Sequence, residues 1–279
     1  MGLRISTNMA AMAANRALTH TTRDQAKSYE RLSSGNRITN AGDDAAGLAI
    51  SENLRAQIRS MGQAERNAND GISFVQVAEG GLTEVGNILV RLRELAIQGA
   101  SDTIGDRERG FINKEVQSLI GEVDRIANVT NFNGTPLLNG ESEKSDLSFQ
   151  VGIRKESNGS DRIVFNPNET NVKAGNLGID GLDFSSRDGA RDSLNTVDNA
   201  MFKVFEARAG LGATQNKLNS TVNNIIIAKE NLSNARSRIA DTDVAVESSE
   251  MVRNTILQNA GVSVLAQANA APMLALKLL

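Results

Sequence analysis

Between Leu194 and Ile239, a stretch of 46 residues, every seventh position from Val197 onward is apolar: Val197, Val204, Leu211, Leu218, Ile225, Leu232 and Ile239. No proline interrupts the run. A period of seven returns to one helix face every two turns, where a facing helix can cover it. The companion positions are mixed, with Leu194, Met201 and Val222 apolar and Arg208, Gln215, Lys229 and Arg236 polar. The pattern is a coiled-coil seam with polar interruptions. At 1.5 Å per residue such a helix spans roughly 69 Å. A compact chain of this length is only about 50 Å across, so the column predicts a rod.

A second column answers it in the N-terminal half: Leu54, Met61, Ala68, Val75, Leu82, Leu89 and Ala96. A third segment, from about Arg107 to Ala127, places Phe111, Ile112, Val116, Leu119, Ile120, Val123 and Ile126 at helical spacing. Three striped helices can bury one another's stripes side by side. Aromatic residues are 3% of the chain, with no Trp and one Tyr, which suits a thin core better than a thick one.

From about Thr130 to Asp192 the pattern changes. Leu147, Phe149, Val151 and Ile153 alternate with polar or small residues, the period of a half-buried strand, and Ile163-Val164-Phe165 follows after a polar turn holding Asn158-Gly159. Asn133-Gly134, Asn139-Gly140 and Gly181 mark further turns. A small β-hairpin element is expected to lean on the helices.

The two ends are nearly free of charge. None occurs from Ile5 to Asn15, and from Asn254 to Leu279 only Lys277 is charged, against 23% for the whole chain. Leu257, Ala260, Val264 and Ala268 keep helical spacing there. A membrane span would have to bury Gln258, Asn259, Gln267 and Asn269, which is costly in hydrocarbon. A hairpin of the two ends would still expose an Ala- and Leu-rich surface, the mark of an association site. Neutral amides suit contacts between helices in a multimer, where an unpaired charge costs more.

Composition narrows the chemistry. The net charge is -3, whereas a nucleic-acid partner calls for a basic surface. There are no cysteines, and His20 is the single histidine, so thiolate metal sites, zinc catalysis and a Ser-His-Asp triad find no residues to build on. His20 reads as an exposed helix position. Gly210-Leu211-Gly212 resembles part of a phosphate loop, but Leu211 belongs to the apolar column. No enzyme, cofactor, metal or membrane is expected.

Several motifs together resemble bacterial flagellin. They are Leu32-Ser33-Ser34-Gly35-Asn36-Arg37-Ile38, the run from Ala41 to Ser51, Asn69-Asp70-Gly71-Ile72-Ser73, Arg93 to Gln98, and Thr130 to Gly134. Leu211 to Asn216, Ser237 to Asp243, and Leu265 to Asn269 continue the likeness in the C-terminal half. The resemblance implies a mainly α fold: a long antiparallel helical coiled-coil rod with a small β-hairpin element and paired N- and C-terminal helices. Residues 1–43 with 237–279 are then terminal helices forming the inner filament core. Residues 44–130 with 190–236 form the helical rod, and 131–189 its short, turn-rich part; the middle is too short for outer domains.

The function it implies is a homopolymer, the extracellular flagellar filament of a swimming bacterium. Subunits of that family pass unfolded through the flagellar type III export apparatus with an export chaperone, and meet filament cap and junction proteins. Subunit contacts are expected at Ile5, Met9, Met12, Leu257, Val264, Leu265, Ala268 and Leu274. In animals a Toll-like receptor recognises the family on the stretch matching Arg91, Leu95 and Glu115, next to which Val90 stands where a glutamine is common. The alternatives are the hook-filament junction protein of the same apparatus or, in another class, a secreted coiled-coil adhesin or needle component. Asp43 and Asp44 are expected to cap the following helix, Gly35 and Gly42 to allow changes of direction, and Asp241 and Asp243 to cap on the return chain.

Overall fold

A computed structural model describes residues 7–141, 146–154 and 161–276. Helix α1 is Met9–Ser34, α2 Ala45–Gly99, α3 Asp106–Val129, α4 Ala174–Leu177, α5 Arg187–Ala240 and α6 Val244–Leu276. Four short strands lie between α3 and α4: β1 Asn131–Phe132, β2 Thr135–Pro136, β3 Leu147–Gln150 and β4 Arg162–Phe165. The chain divides into two compact units, residues 1–58 with 230–279 and residues 59–229.

In the unit 59–229 the two seven-residue columns become one core. Ala68, Val75, Leu82, Leu89 and Ala96 of α2 are buried, as are Val197, Val204, Leu211 and Leu218 of α5. Ion pairs flank the seam, Arg93–Asp198 at 2.7 Å, Arg208–Glu79 at 3.6 Å and Lys229–Glu65 at 2.7 Å. As the α2 partner's number falls, the α5 partner's rises, so these helices run antiparallel. Helix α3 adds Ile112, Val116, Ile120, Val123 and Ala127 to the same core. Phe111, expected in that stripe, is 59% exposed, because it lies off the buried row of Arg109, Ile112, Val116 and Ile120. The turn from α2 to α3 is closed by buried Arg109, whose guanidinium donates to the carbonyls of Gly99 and Ser101 and to Asp106.

The β segments cap this core. Strands β3 and β4 pair antiparallel, Leu147 with Phe165 and Phe149 with Ile163, as their alternation suggested; the Asn158-Gly159 turn lies outside the described residues. A second hairpin joins β1 to β2 through Asn133 (φ 49°) and Gly134 (φ 77°). Two consecutive positive φ values are what a two-residue hairpin turn needs to match strand twist. Sequence alone marked only a turn there. Phe74 of α2 meets Phe132, Phe149 and Phe165 edge-on, with ring centroids 5.2–5.7 Å apart. Half of the eight phenylalanines therefore gather at one point and pin both hairpins to α2. Gly71, one turn earlier, lets Phe149 and Leu218 close in: an added Cβ would stand 3.2–3.3 Å from both.

Outside this unit the columns lose their cover. Leu54 on α2, and Leu232 and Ile239 on α5, are only half-buried.

Removing the ring at the centre of the cluster is expected to cost stability out of proportion to its area. Phe74→Ala should destabilise the protein by about 3–5 kcal/mol in urea unfolding. Val164→Ala, on the exposed side of β4, should cost less than about 1 kcal/mol. Similar losses for the two would show that Phe74 does not anchor the hairpins.

Candidate assembly surface

The unit 1–58 with 230–279 is organised around two chain reversals. Asn8 caps α1 by accepting from the Ala11 amide, and Gly35, at φ 69°, ends it with its amide donating to Arg31. The left-handed conformation at this stop is one that glycine adopts without strain. Gly42 uses no such freedom: its φ is ordinary and nothing crowds it. The two aspartates after it divide the work. Asp44 caps α2 by accepting from the Gly47 amide at 2.9 Å. Asp43 turns back instead, accepting from the Thr39 amide and hydroxyl and the Asn40 amide and pairing with Lys27 of α1. The Lys27 ammonium and then the Thr39 donors hold its carboxyl well below the ordinary carboxylate range.

The return chain repeats the division. Asp243 caps α6, accepting from the Ala245 and Val246 amides. Asp241 does not cap; it bridges to Asn36 through the backbone, where the Arg37 amide donates to Ala240 at 2.7 Å and the Thr242 amide to Gly35 at 2.9 Å. The turn that leaves α1 is thus stitched to the turn that enters α6.

Helices α1 and α6 then pack along their length as an antiparallel pair, and their packing is inverted. The inner positions of α1 are small or polar: Ala11, Ala14, Thr21, Gln25 and Ser28, with Leu18 the one large apolar residue in the middle. Those of α6 are Ser248, Met251, Thr255, Gln258, Gly261, Leu265 and Ala268. Gln25 donates to the Thr255 hydroxyl at 3.0 Å, Asn8 to the Ala268 carbonyl at 2.7 Å, and Arg31 reaches Glu247 at 3.4 Å. Leu18 packs over Gly261. Leu18, Met251 and Leu265 apart, the large apolar side chains point outward: Met9, Met12, Val252, Ile256, Leu257, Val262 and Val264 are all exposed.

Of the expected contact residues, Met9, Met12, Leu257 and Val264 lie on this outward surface, Met9 63% and Val264 53% exposed. Leu265 and Ala268 are half-buried in the seam between the helices. Ile5 and the side chain of Leu274 lie outside the described residues. Ile256 and Val262 join the outward face without having been singled out, because the stripe read from sequence picked one flank of a helix that is apolar on several. His20 is exposed and faces Asp24 at 2.8 Å. Among the described residues no helix is long and apolar enough to cross a membrane.

In the other unit, Arg91 and Glu115 meet on the surface at 2.9 Å, with Glu94 at 3.1 Å from the same guanidinium. These carboxylates raise the Arg91 pKa. Leu95 does not share that surface. It is 1% exposed, placed one turn beyond Leu92 on the core face of α2.

Comparison with known proteins matches residues 5–143 to the bacterial flagellin N-terminal helical region and residues 194–279 to the bacterial flagellin C-terminal helical region. The flagellin of Halalkalibacterium halodurans is 42% identical over 275 residues, covering 99% of each chain. Flagellin FlaB1 of Treponema pallidum is 40% identical over 95% of this chain and 96% of its own. The flagellin of Bacillus subtilis is 40% identical over 99% and 100%. Among solved structures, the crystal structure of Bacillus cereus flagellin aligns with a TM-score of 0.51 at 28% identity, over 57% of this chain and 88% of its own. A protein of Vibrio parahaemolyticus described as flagellar hook-associated aligns with a TM-score of 0.57 over 71% and 100%, but at 15% identity that likeness speaks to fold alone.

The Asp43 network gives this unit an acid-sensitive joint. Its carboxyl is lowered in the folded state, so its stabilisation is present at neutral pH and is lost as pH falls below about 4, the unfolded value. Between about pH 5 and about pH 3 the protein should lose more stability than its Asp43→Asn variant does. Parallel melting-temperature profiles for the two would show that Asp43 is not the titrating joint.

Proposed function

Because the chain belongs to the bacterial flagellin family and is a structural subunit of the flagellar filament, we propose that the outward face of its α1–α6 pair is the surface on which copies join. The inverted packing carries this reading. A helix pair in water normally turns its large apolar side chains inward; this one spends its seam on Gln25, Ser28, Thr255 and Gln258 and leaves Ile256, Leu257, Val262 and Val264 in solvent. Each is about half exposed, so covering the remainder is worth about 1 kcal/mol per side chain, less the cost of association. Neighbouring copies of the same face meet that need without adding an unpaired charge.

The same seam supports passage of the subunit, unfolded, through the flagellar type III export apparatus with an export chaperone. Opening a contact built mostly of small and polar residues, with Leu18, Met251 and Leu265 only half-buried, gives up limited apolar area, so the pair is cheap to undo and to remake. On this reading the subunit is secreted, adds beneath the filament cap, and meets junction proteins at the base. The exposed Arg91–Glu115 pair is the part of the unit 59–229 that a host Toll-like receptor would find, with Leu95 supporting it from below. Full-length relatives at about 40% identity are flagellins, which favours the filament subunit over the junction protein.

Val264→Glu places a charge in the middle of the outward face without touching the seam. The variant monomer should keep its helical content by circular dichroism, yet seeded polymerisation should leave it in the supernatant after sedimentation. Normal filaments of Val264→Glu under the electron microscope would refute this surface.

A further inference from the structure

Two stripes on the outer side of the helix pair complement one another only between copies. On α1, Met9, Arg16 and Arg23 follow at intervals of seven, all exposed. On α6 and its cap, Asp243, Glu250 and Leu257 do the same, also exposed. One stripe runs apolar, basic, basic; the other, read in the opposite direction, runs apolar, acidic, acidic. Among the described residues neither Arg16 nor Arg23 has an ion partner. Glu250 has only the exposed Arg253 at 3.4 Å, and Asp243 holds the α6 amides through one oxygen.

Within one copy the stripes do not meet. Asn8 stands level with Ala268, Leu18 with Gly261, Gln25 with Thr255 and Arg31 with Glu247. On that scale Met9, Arg16 and Arg23 each lie about twelve residues, roughly 18 Å, from the level of Leu257, Glu250 and Asp243 respectively. The offset is the same for all three, since both stripes repeat every seven residues and the helices run oppositely. A second copy in the same orientation, slid by that distance along the pair, sets Met9 against Leu257, Arg16 against Glu250 and Arg23 against Asp243 at once. Slipping one heptad in one direction puts Arg16 against Leu257; slipping one heptad in the other puts Met9 against Glu250. Either slip strands a charge on an apolar side chain as the contact dries.

We propose that the α1 face of one subunit packs on the α6 face of the next in this single register, which fixes the axial step between those neighbours. The proposal rests on the outer faces of the pair being where copies join. Such a contact is head-to-tail, one patch meeting a different patch, and therefore builds an open helical polymer instead of closing as a dimer.

The absence of cysteine allows a direct test. Met9→Cys protein is copolymerised with Leu257→Cys protein, the filaments are oxidised, and the products are separated without reductant. A disulfide needs Cα atoms within about 7 Å, so a dimer carrying both substitutions reports the register. The expected result is that mixed dimer, with little or none when Leu257→Cys is replaced by Val264→Cys. Normal filaments without it, or with equal bonding to Val264→Cys, overturn the register while leaving the assembly surface standing; the surface itself falls only with the Val264→Glu result. Should the cysteine variants not polymerise, charge reversal decides. Arg16→Glu should raise the unpolymerised concentration at equilibrium about tenfold, and adding Glu250→Arg should return it to near the wild-type level. A double variant no better than Arg16→Glu overturns the proposal.

Discussion

Everything in the unit 59–229 depends on the mutual burial of two seven-residue columns, Ala68 to Ala96 on α2 and Val197 to Leu218 on α5. Neither helix could keep its stripe in water, and each is the other's cover. Once they are paired, α3 finds a groove for Ile112, Val116 and Val123, and Phe74 offers a ring on which both hairpins close. The flanking ion pairs Arg93–Asp198 and Lys229–Glu65 are partly exposed. They set direction and alignment more than they add stability.

The helix pair α1–α6 follows the opposite rule. Its inside is held by hydrogen bonds and small residues around Leu18, Met251 and Leu265, and its outside carries most of the large apolar side chains. The two units therefore divide a filament subunit's work by where each puts its hydrophobic surface. One spends it within the chain and folds on it. The other withholds it for neighbours. The unit 1–58 with 230–279 also holds the stitched turns at Gly35–Asp44 and Ala240–Asp243, where backbone hydrogen bonds, the Asp43–Lys27 pair and the buried side chains of Ile38 and Ala240 fix the geometry.

Much of this was legible from residue order. The period of seven located both long helices and the core face of each, and the alternation at Leu147 and Ile163 located β3 and β4. Local signals were read less well where two residues of one type compete for one role. Asp43 and Asp44 both suit a helix cap, as do Asp241 and Asp243, yet in each pair only the residue next to the helix caps it. The other is drawn off by a partner distant in sequence, Lys27 or the backbone of Asn36. Gly42 does lie in a turn, closed by the Asp43 amide on the Asn40 carbonyl, but it turns without a left-handed conformation. Leu95 looked like part of a surface motif and is core, since a motif does not say which way its side chains face.

The uncharged ends show the same boundary. Composition alone determined that residues near both termini need a partner surface, because charge is missing there while apolar side chains are not. Which side of each helix needs it could not be read, for α6 is apolar on several flanks and its periodicity favours none strongly. Tertiary structure decided it. Gln25 finding Thr255, Asn8 finding the Ala268 carbonyl and Leu18 settling over Gly261 choose the polar, small-residue side of each helix as the inside. Hydrogen bonds need specific partners at specific distances, whereas apolar burial needs only cover. The intramolecular contact therefore took the directional groups, and the indifferent apolar face was left for other copies.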